Sequence, residues 1–458
     1  MTQRNREAIA SVIKAYDVRG VVGDGIDADL VRDTGAAFGL LMRGEGATRV
    51  VVGHDMRDSS PGLSEAFAEG VRSQGLDTVA LGLTSTDELY FASGTMDCPG
   101  AMFTASHNPA RYNGIKLCRS GARPVGQETG LADITDMLVE GVPSYDGEAG
   151  AASSRDVLTD YAAYLHDLVP LDIRPLTVAV DAGNGMGGLT VPAVLGEGSG
   201  LPLSIRDLYF ELDGTFPNHE ANPLAPENLV DLQKFTVEQG ADLGIAFDGD
   251  ADRCFIVDER GDPVSPSAIC GIIAERYLEQ HPGATIIHNL ITSKAVPEIV
   301  REHGGTPVRT RVGHSFIKSR MAEENAVFGG EHSAHYYFSD FFNADSGMLA
   351  ALHVLATLGG QDRPLSELKQ AYGRYQASGE VNSEVADQAD RTAAVVEAFA
   401  DETVGTDDMD GVTVELQDGS WFNVRASNTE PLLRLNVEAA TDARVREILD
   451  KALAVIRA

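Results

Sequence analysis

Three carboxylates at alternate positions are the loudest chemical signal in the chain. FDGDADRCF (Phe247–Phe255) carries Asp248, Asp250 and Asp252 directly after the apolar run LGIAF. Carboxylates at i, i+2 and i+4 on a strand end repel one another unless a cation sits among them, and Arg253 neutralises only one. A hard divalent cation with oxygen ligands balances the set, and Mg²⁺ is the usual choice. The competing reading is an acidic turn that caps a helix or faces water. A calcium-binding EF-hand is excluded: its sixth position needs glycine, where this chain has Arg253, and its flanks need helices, where the sequence reads as strands.

Three further loops offer chemistry. AMFTASHNPARYNGIKL (Ala101–Leu117) places the Ser106 hydroxyl, the His107 imidazole and an amide in one tight turn ended by Asn-Pro. A lone serine there equally serves as a cap, and no GxSxG elbow supports a serine hydrolase. GGEHSAHYYF (Gly329–Phe338) gathers Glu331, His332, Ser333 and His335. A carboxylate beside a hydroxyl suits the reading of two sugar hydroxyls, though a polar strand end explains it as well; zinc HExxH spacing is absent. RASNTEPLLR (Arg425–Arg434) presents Arg425, Ser427, Asn428 and Thr429, a fixed charge with several donors, suited to cradling phosphate or to capping a helix. Gly183, Gly185 and Gly188 spell GxGxxG after the strand TVAVDA, with Asp207 beyond. That is the dinucleotide fingerprint on its face, and a closely packed βα turn is the plainer reading.

The elements that position these loops repeat one grammar: a β-branched run, a turn rich in Gly, Asp or Asn, then a helix. TRVVVGHDMRDSS, PLTVAVDAGNGMGG and ATIIHNLITSK each open such a unit. Their nearly continuous apolar strands predict sheets covered on both faces. A chain of 458 residues holds about three or four domains. Residues 139–156 read as a linker and 373–392 as a domain boundary, and the segment after the second reads helix, strands, helix. The expectation is three similar mixed α/β domains and a smaller C-terminal α+β domain, divided at 1–150, 151–258, 259–372 and 373–458. With 69 acidic against 36 basic residues the net charge is −33. That excludes a general nucleic-acid binder and an adsorber to anionic membranes. No run approaches the roughly 18 apolar residues of a membrane span, and the N-terminus lacks an export signal. Four cysteines, Cys98, Cys118, Cys254 and Cys270, form no metal spacing. A reducing cytoplasm is expected.

KAYDVRG (Lys14–Gly20), TASHNP, DGDADR, GEHSAH and RASNTEP, in this order and spacing, closely resemble the phosphohexomutases of the phosphomannomutase/phosphoglucomutase group over almost the whole chain. The resemblance implies a heart-shaped, four-domain enzyme with one loop per domain meeting in a central cleft. It implies that Ser106 bears the transferable phosphate, and that Asp248, Asp250 and Asp252, with a phosphoserine oxygen on Ser106, hold one Mg²⁺. Glu331 and Ser333 match the sugar-hydroxyl readers, and Arg425, Ser427, Asn428 and Thr429 the clamp on the distal phosphate. Lys116 and His107 match positions near the reacting oxygen, with Lys116 the better acid/base. Arg19 and Arg253 match neighbours of the phosphoserine, while Lys294 and the Gly313–His314 pair match further substrate contacts. The GxGxxG turn is similar to the opening turn of the family's second domain, which binds no dinucleotide.

The implied cycle has two transfers. Phospho-Ser106 gives its phosphate to a hexose 1- or 6-phosphate, and the resulting hexose 1,6-bisphosphate, also the activator, turns over and returns its other phosphate. A phosphoserine carrying close to two negative charges beside three aspartates needs the cation. Within the resemblance, the middle residue of the sugar loop is Met, Gln or Glu in three groups of members, and here it is His332. The TASHNP form favours mannose phosphates, with glucose phosphates also accepted; phosphoglucomutase, phosphoglucosamine mutase and a metal-dependent sugar phosphatase are the alternatives.

Overall fold

The computed structural model describes residues 4–427 and 432–458, with the backbone alone at 314 and 315. The chain forms two compact units, Met1–Val264 with Ser333–Ser366, and Ser265–His332 with Glu367–Ala458.

In the first unit, parallel strands Arg49–His54, Asp77–Leu83 and Gly100–Phe103 are extended by antiparallel Tyr112–Arg119 and Val18–Val22. Helices Ala28–Gly44 and Ser60–Ser73 pack on one another and bury Phe38 and Phe67, whose rings lie 5.8 Å apart. Residues 139–156 are not a free linker. Ala152–Ser154 joins Asp77–Leu83 as a parallel edge strand, and the Tyr145 ring lies 4.0 Å beneath the Arg43 guanidinium. That stacking anchors a Gly- and Ala-rich run whose own side chains have little surface to bury.

A second sheet of the same unit has the order Leu203–Leu208, Leu176–Asp181, Leu243–Phe247, Cys254–Asp258, Pro263–Val264. Leu243–Phe247 and Cys254–Asp258 are antiparallel neighbours, so the acidic loop sits between strands. The GxGxxG turn has a packing cause: a Cβ at Gly185 would lie 2.7 Å from the Gly249 carbonyl oxygen, and one at Gly188 2.1 Å from that of Phe210. The returning segment Ser333–Ser366 gives this unit the hairpin of Tyr336–Phe338 with Ala344–Asp345. Its helix Gly347–Gly359 is apolar and buried almost all round and packs on Cys254–Asp258.

The second unit holds parallel strands Thr285–Asn289, Thr306–Thr310 and Phe328–Gly330, with helices Pro266–Gln280 and Ala295–Glu302. Its C-terminal sheet has the order Gln376–Glu384, Leu432–Ala439, Trp421–Ala426, Val412–Leu416, Thr403–Asp407. The boundary expected at 373–392 therefore contains this sheet's first strand, because Gln376–Glu384 pairs along Leu432–Ala439. Helices Gln388–Ala398 and Asp442–Ile456 cover one face over Leu433, Leu435 and Val437. The alternate positions Arg434, Asn436 and Glu438 point to the opposite, polar face. Among the described residues no helix is long and apolar enough to cross a membrane. The architecture is four α/β domains.

Candidate active site

Ser106 stands at the C-terminal end of strand Gly100–Phe103 with φ +49°, a backbone state that costs a non-glycine residue of order 1 kcal/mol and clusters at functional sites. Its amide donates to Thr104 Oγ1 (2.8 Å). The turn is held from beneath by Arg57, which is 1% exposed. Arg57 donates to the main-chain oxygens of Ser106 (2.8 Å), Asn108 (2.7 Å), Pro109 (2.9 Å) and Tyr112 (3.1 Å), and pairs with buried Asp55 at 3.1 Å. Arg19, paired with Asp17 at 2.6 Å, donates to the Asn108 side chain at 2.7 Å. Strand Val18–Val22 thus reaches the same turn.

The acidic loop closes on this serine. Ser106 Oγ donates to Asp248 Oδ2 at 2.8 Å, and a Cβ at Gly249 would lie 2.5 Å from the Ser106 carbonyl oxygen. Only glycine permits that approach. Arg253 Nε donates to Asp248 at 2.8 Å, and its Nη2 reaches Ser106 Oγ at 3.4 Å and His107 Nδ1 at 2.5 Å. Since His107 Nδ1 accepts from a guanidinium, the imidazole is neutral. Burial, then the Arg253 and Arg19 charges, hold its pKa well below the ordinary value. His107 is thereby a fixed acceptor here.

Asp248, Asp250 and Asp252 are at most 1% exposed, and their carboxylate oxygens lie within 4.8 Å of one another. Burial raises Asp248 despite Arg253. Burial also acts on Asp250, but Lys116 and Thr86 outweigh it and hold the carboxyl well below its usual range. Burial and the Asp250 charge push Asp252 up. Lys116 Nζ donates to Asp250 Oδ2 (2.7 Å) and Asp252 Oδ2 (2.5 Å). Burial alone would lower this lysine, yet the two aspartates leave it raised and charged. Asp250 Oδ1 and Asp252 Oδ1 remain buried without a hydrogen-bond donor. Unpartnered carboxylate oxygens converging with Asp248 and a serine hydroxyl are a fitting donor set for a hard cation such as Mg²⁺.

Sequence reasoning missed several members. Thr86, the first residue of helix Thr86–Thr95, donates Oγ1 to Asp250 Oδ2 at 2.6 Å and its amide to the Asp250 carbonyl at 3.1 Å. The returning segment adds buried Asp345, whose charge acts on Lys116 and Asp252, and brings His335, which the sequence placed in the sugar loop, to a bridge with Arg253 and 3.8 Å from Asp252 Oδ1. Asp55-x-Arg57 had a readable signal, charged residues directly after the apolar strand Arg49–His54. Thr86 had none.

In the second unit the Gly313 amide donates to Glu331 Oε1 at 3.3 Å, so two of the expected substrate contacts meet. His314 begins the following helix, and its side chain lies outside the described residues. Arg425, 7% exposed, pairs with Glu380 at 3.0 Å and stands 3.7 Å from Asp410. The Ser427 amide donates to the Leu432 carbonyl at 2.8 Å, closing the base of the loop. Asn428 and Thr429 lie outside the described residues. Lys294 is engaged elsewhere: its Nζ donates to the Gly419 carbonyl and lies 4.3 Å over the Tyr375 ring. It lines a cavity of about 600 Å³ with Arg301, Arg309 and Trp421. In the first unit the Ser333 hydroxyl meets His335 Nδ1 at 3.0 Å.

The chain matches four family descriptions in sequence: phosphoglucomutase/phosphomannomutase alpha/beta/alpha domain I at residues 10–140, domain II at 159–261, domain III at 265–375 and the C-terminal domain at 380–455. It is 40% identical over 449 residues to a phosphomannomutase of Salmonella montevideo, covering 95% of this chain and 97% of that protein. It is 41% identical over 441 residues to a protein of Xanthomonas campestris pv. campestris described as phosphohexose mutases, covering 95% and 96%. A phosphoglucomutase/phosphomannomutase family protein from Burkholderia thailandensis superposes with a TM-score of 0.89 at 32% identity, covering 98% of this chain and 97% of that one.

Proposed function

The chain belongs to the phosphoglucomutase/phosphomannomutase family, and from that premise we propose that it is a phosphomannomutase. It interconverts mannose 6-phosphate and mannose 1-phosphate as an isomerase that transfers phosphate within one substrate, and it also accepts glucose phosphates. The observation that carries the reading is the Ser106 hydroxyl, 2.8 Å from Asp248, at a buried acidic triad with two unpartnered carboxylate oxygens.

Asp248, Asp250 and Asp252, with an oxygen on Ser106, would hold one Mg²⁺; when bound, that ion neutralises charge on the transferring phosphoryl group. Ser106 carries the phosphate. Arg253 and Arg57 fix the serine in place, one at its hydroxyl and one at its carbonyl. Lys116 gives its proton to the Ser106 oxygen as the serine–phosphorus bond breaks and takes the proton of the sugar hydroxyl as that oxygen bonds to phosphorus, so it ends charged as it began. His107 orients Arg253. Glu331 and Ser333 read sugar hydroxyls, with Gly313, His314 and Lys294 as further contacts. Arg425, Ser427, Asn428 and Thr429 clamp the phosphate that is not reacting. A hexose 1,6-bisphosphate primes the dephosphorylated enzyme. The four cysteines are buried thiols that form no disulfide, which supports work in a reducing cytoplasm.

The deciding experiment is a coupled assay with mannose, glucose and glucosamine phosphates, primed with hexose 1,6-bisphosphate. Intact mass should show one phosphate on the peptide containing Ser106, and Ser106→Ala should lose most activity even when primed. Net release of inorganic phosphate without isomerisation would instead identify a phosphatase.

A further inference from the structure

His332 is the odd residue of the sugar loop, and its imidazole leaves the Glu331–Gly313 contact for a different partner. Its Nδ1 lies 3.3 Å from Ser267 Oγ. That hydroxyl already accepts the Ser293 amide at 3.1 Å, and its own proton is available to Nδ1, which accepts in the tautomer that carries its hydrogen on Nε2. Ser293 repeats the pattern. Its hydroxyl accepts the Ala295 amide at 3.1 Å and bonds the Glu438 carboxylate. Glu438, 3% exposed, also accepts Trp421 Nε1 at 2.8 Å and the Lys294 amide at 3.1 Å. Each serine takes one main-chain proton; Ser267 faces His332 with its hydroxyl, Ser293 gives its own proton to Glu438, and the Ser293 backbone amide joins the two. The relay runs from the residue beside Glu331 to strands Leu432–Ala439 and Trp421–Ala426, the second of which carries Arg425.

We propose that His332 is a positioning residue that sets the distance between the sugar reader Glu331 and the phosphate-binding Arg425 through Ser267, Ser293 and Glu438. This rests on the mutase reading. His332 never touches the sugar; it fixes the frame in which the sugar is read. Its side chain lines a cavity of about 290 Å³ with Tyr372, Tyr375, Trp421, Asn436 and Glu438, so there is open space beside this position, and circular dichroism checks that each variant folds.

The test is a double-mutant cycle on the whole chain. His332→Leu and Ser293→Ala should each raise KM for mannose 1-phosphate about fivefold, the factor for one lost neutral hydrogen bond, with kcat little changed. The double variant should be no worse than the poorer single one, because both cut one relay. His332→Gln, whose amide oxygen can take the Ser267 proton, should restore the wild-type KM. Multiplying effects in the double variant, or failure of glutamine to rescue, overturns the proposal. Trp421 is the only tryptophan, and its emission in the same four proteins reports the relay without turnover. Wild-type emission in both single variants also overturns it. A wild-type enzyme inactive on every hexose phosphate would overturn the mutase reading instead, while coupled emission changes would still uphold the relay.

Discussion

Arg57 binds four main-chain oxygens and one carboxylate with a single side chain, and it touches no reacting atom. Arg57→Ala leaves Asp55 buried and unpaired, a defect of about 3–5 kcal/mol, and frees the serine turn. The expected outcome is a melting temperature lower by several degrees and a kcat reduced at least tenfold, checked by calorimetry and by the rate at which bisphosphate phosphorylates Ser106. Arg57→Lys should rescue little, because an ammonium lacks the planar fork that reaches four carbonyls at once. Asp250→Asn removes a proposed ligand, and titration calorimetry should show Mg²⁺ affinity falling beyond the roughly 10- to 100-fold seen for outer-sphere changes. The aspartates were readable in the sequence because their repulsion demands an explanation wherever the chain folds. Thr86 was not, since its partner is a carboxylate 164 residues away and no local pattern encodes it; Arg57 showed only as a charge after an apolar strand, with nothing nearby to name the main-chain oxygens it binds.

Helix Thr86–Thr95 links the acidic loop to solvent conditions through its first turn. Ser85 and Glu88 form a capping box, and burial, opposed by the Ser85 amide, raises the Glu88 carboxyl to about 8. A carboxyl raised above its unfolded value gives stability that is complete below the unfolded value and disappears as pH rises through the folded one. Melting temperature should therefore decline between about pH 4.5 and 8, and Glu88→Gln, which keeps the cap, should flatten that decline in a melting series. The acidic loop itself tolerates no added carbon at Gly249. Gly249→Ala, meeting the Ser106 carbonyl oxygen at 2.5 Å, should cost about 1–3 kcal/mol and weaken Mg²⁺ binding more than it lowers the melting temperature. The strand–turn–helix units opened by Arg49–His54, Leu176–Asp181 and Thr285–Asn289 were legible from their apolar runs. The edge strands Ala152–Ser154 and Gln376–Glu384 were hidden because they are polar on both faces, and only their pairing partners define them.

Across the whole molecule the net charge of −33 concentrates cations near a site that needs one. Apparent Mg²⁺ affinity should fall as sodium chloride rises from about 0.01 to 0.15 M, a range over which the screening length shrinks from roughly 30 to 8 Å. Calorimetric titration at several salt concentrations checks it, and affinity independent of salt would assign all attraction to the buried triad. The first unit is written in two instalments, Met1–Val264 and Ser333–Ser366. The second instalment brings His335, Asp345 and the buried helix Gly347–Gly359 to the acidic loop. During synthesis at about 5–20 residues per second, the ribosome delivers Ser106, Lys116 and all three aspartates well before the segment that braces them. The growing chain thus carries every proposed ligand before the segment that packs against them, and that late stretch of polypeptide supplies none of the proposed set.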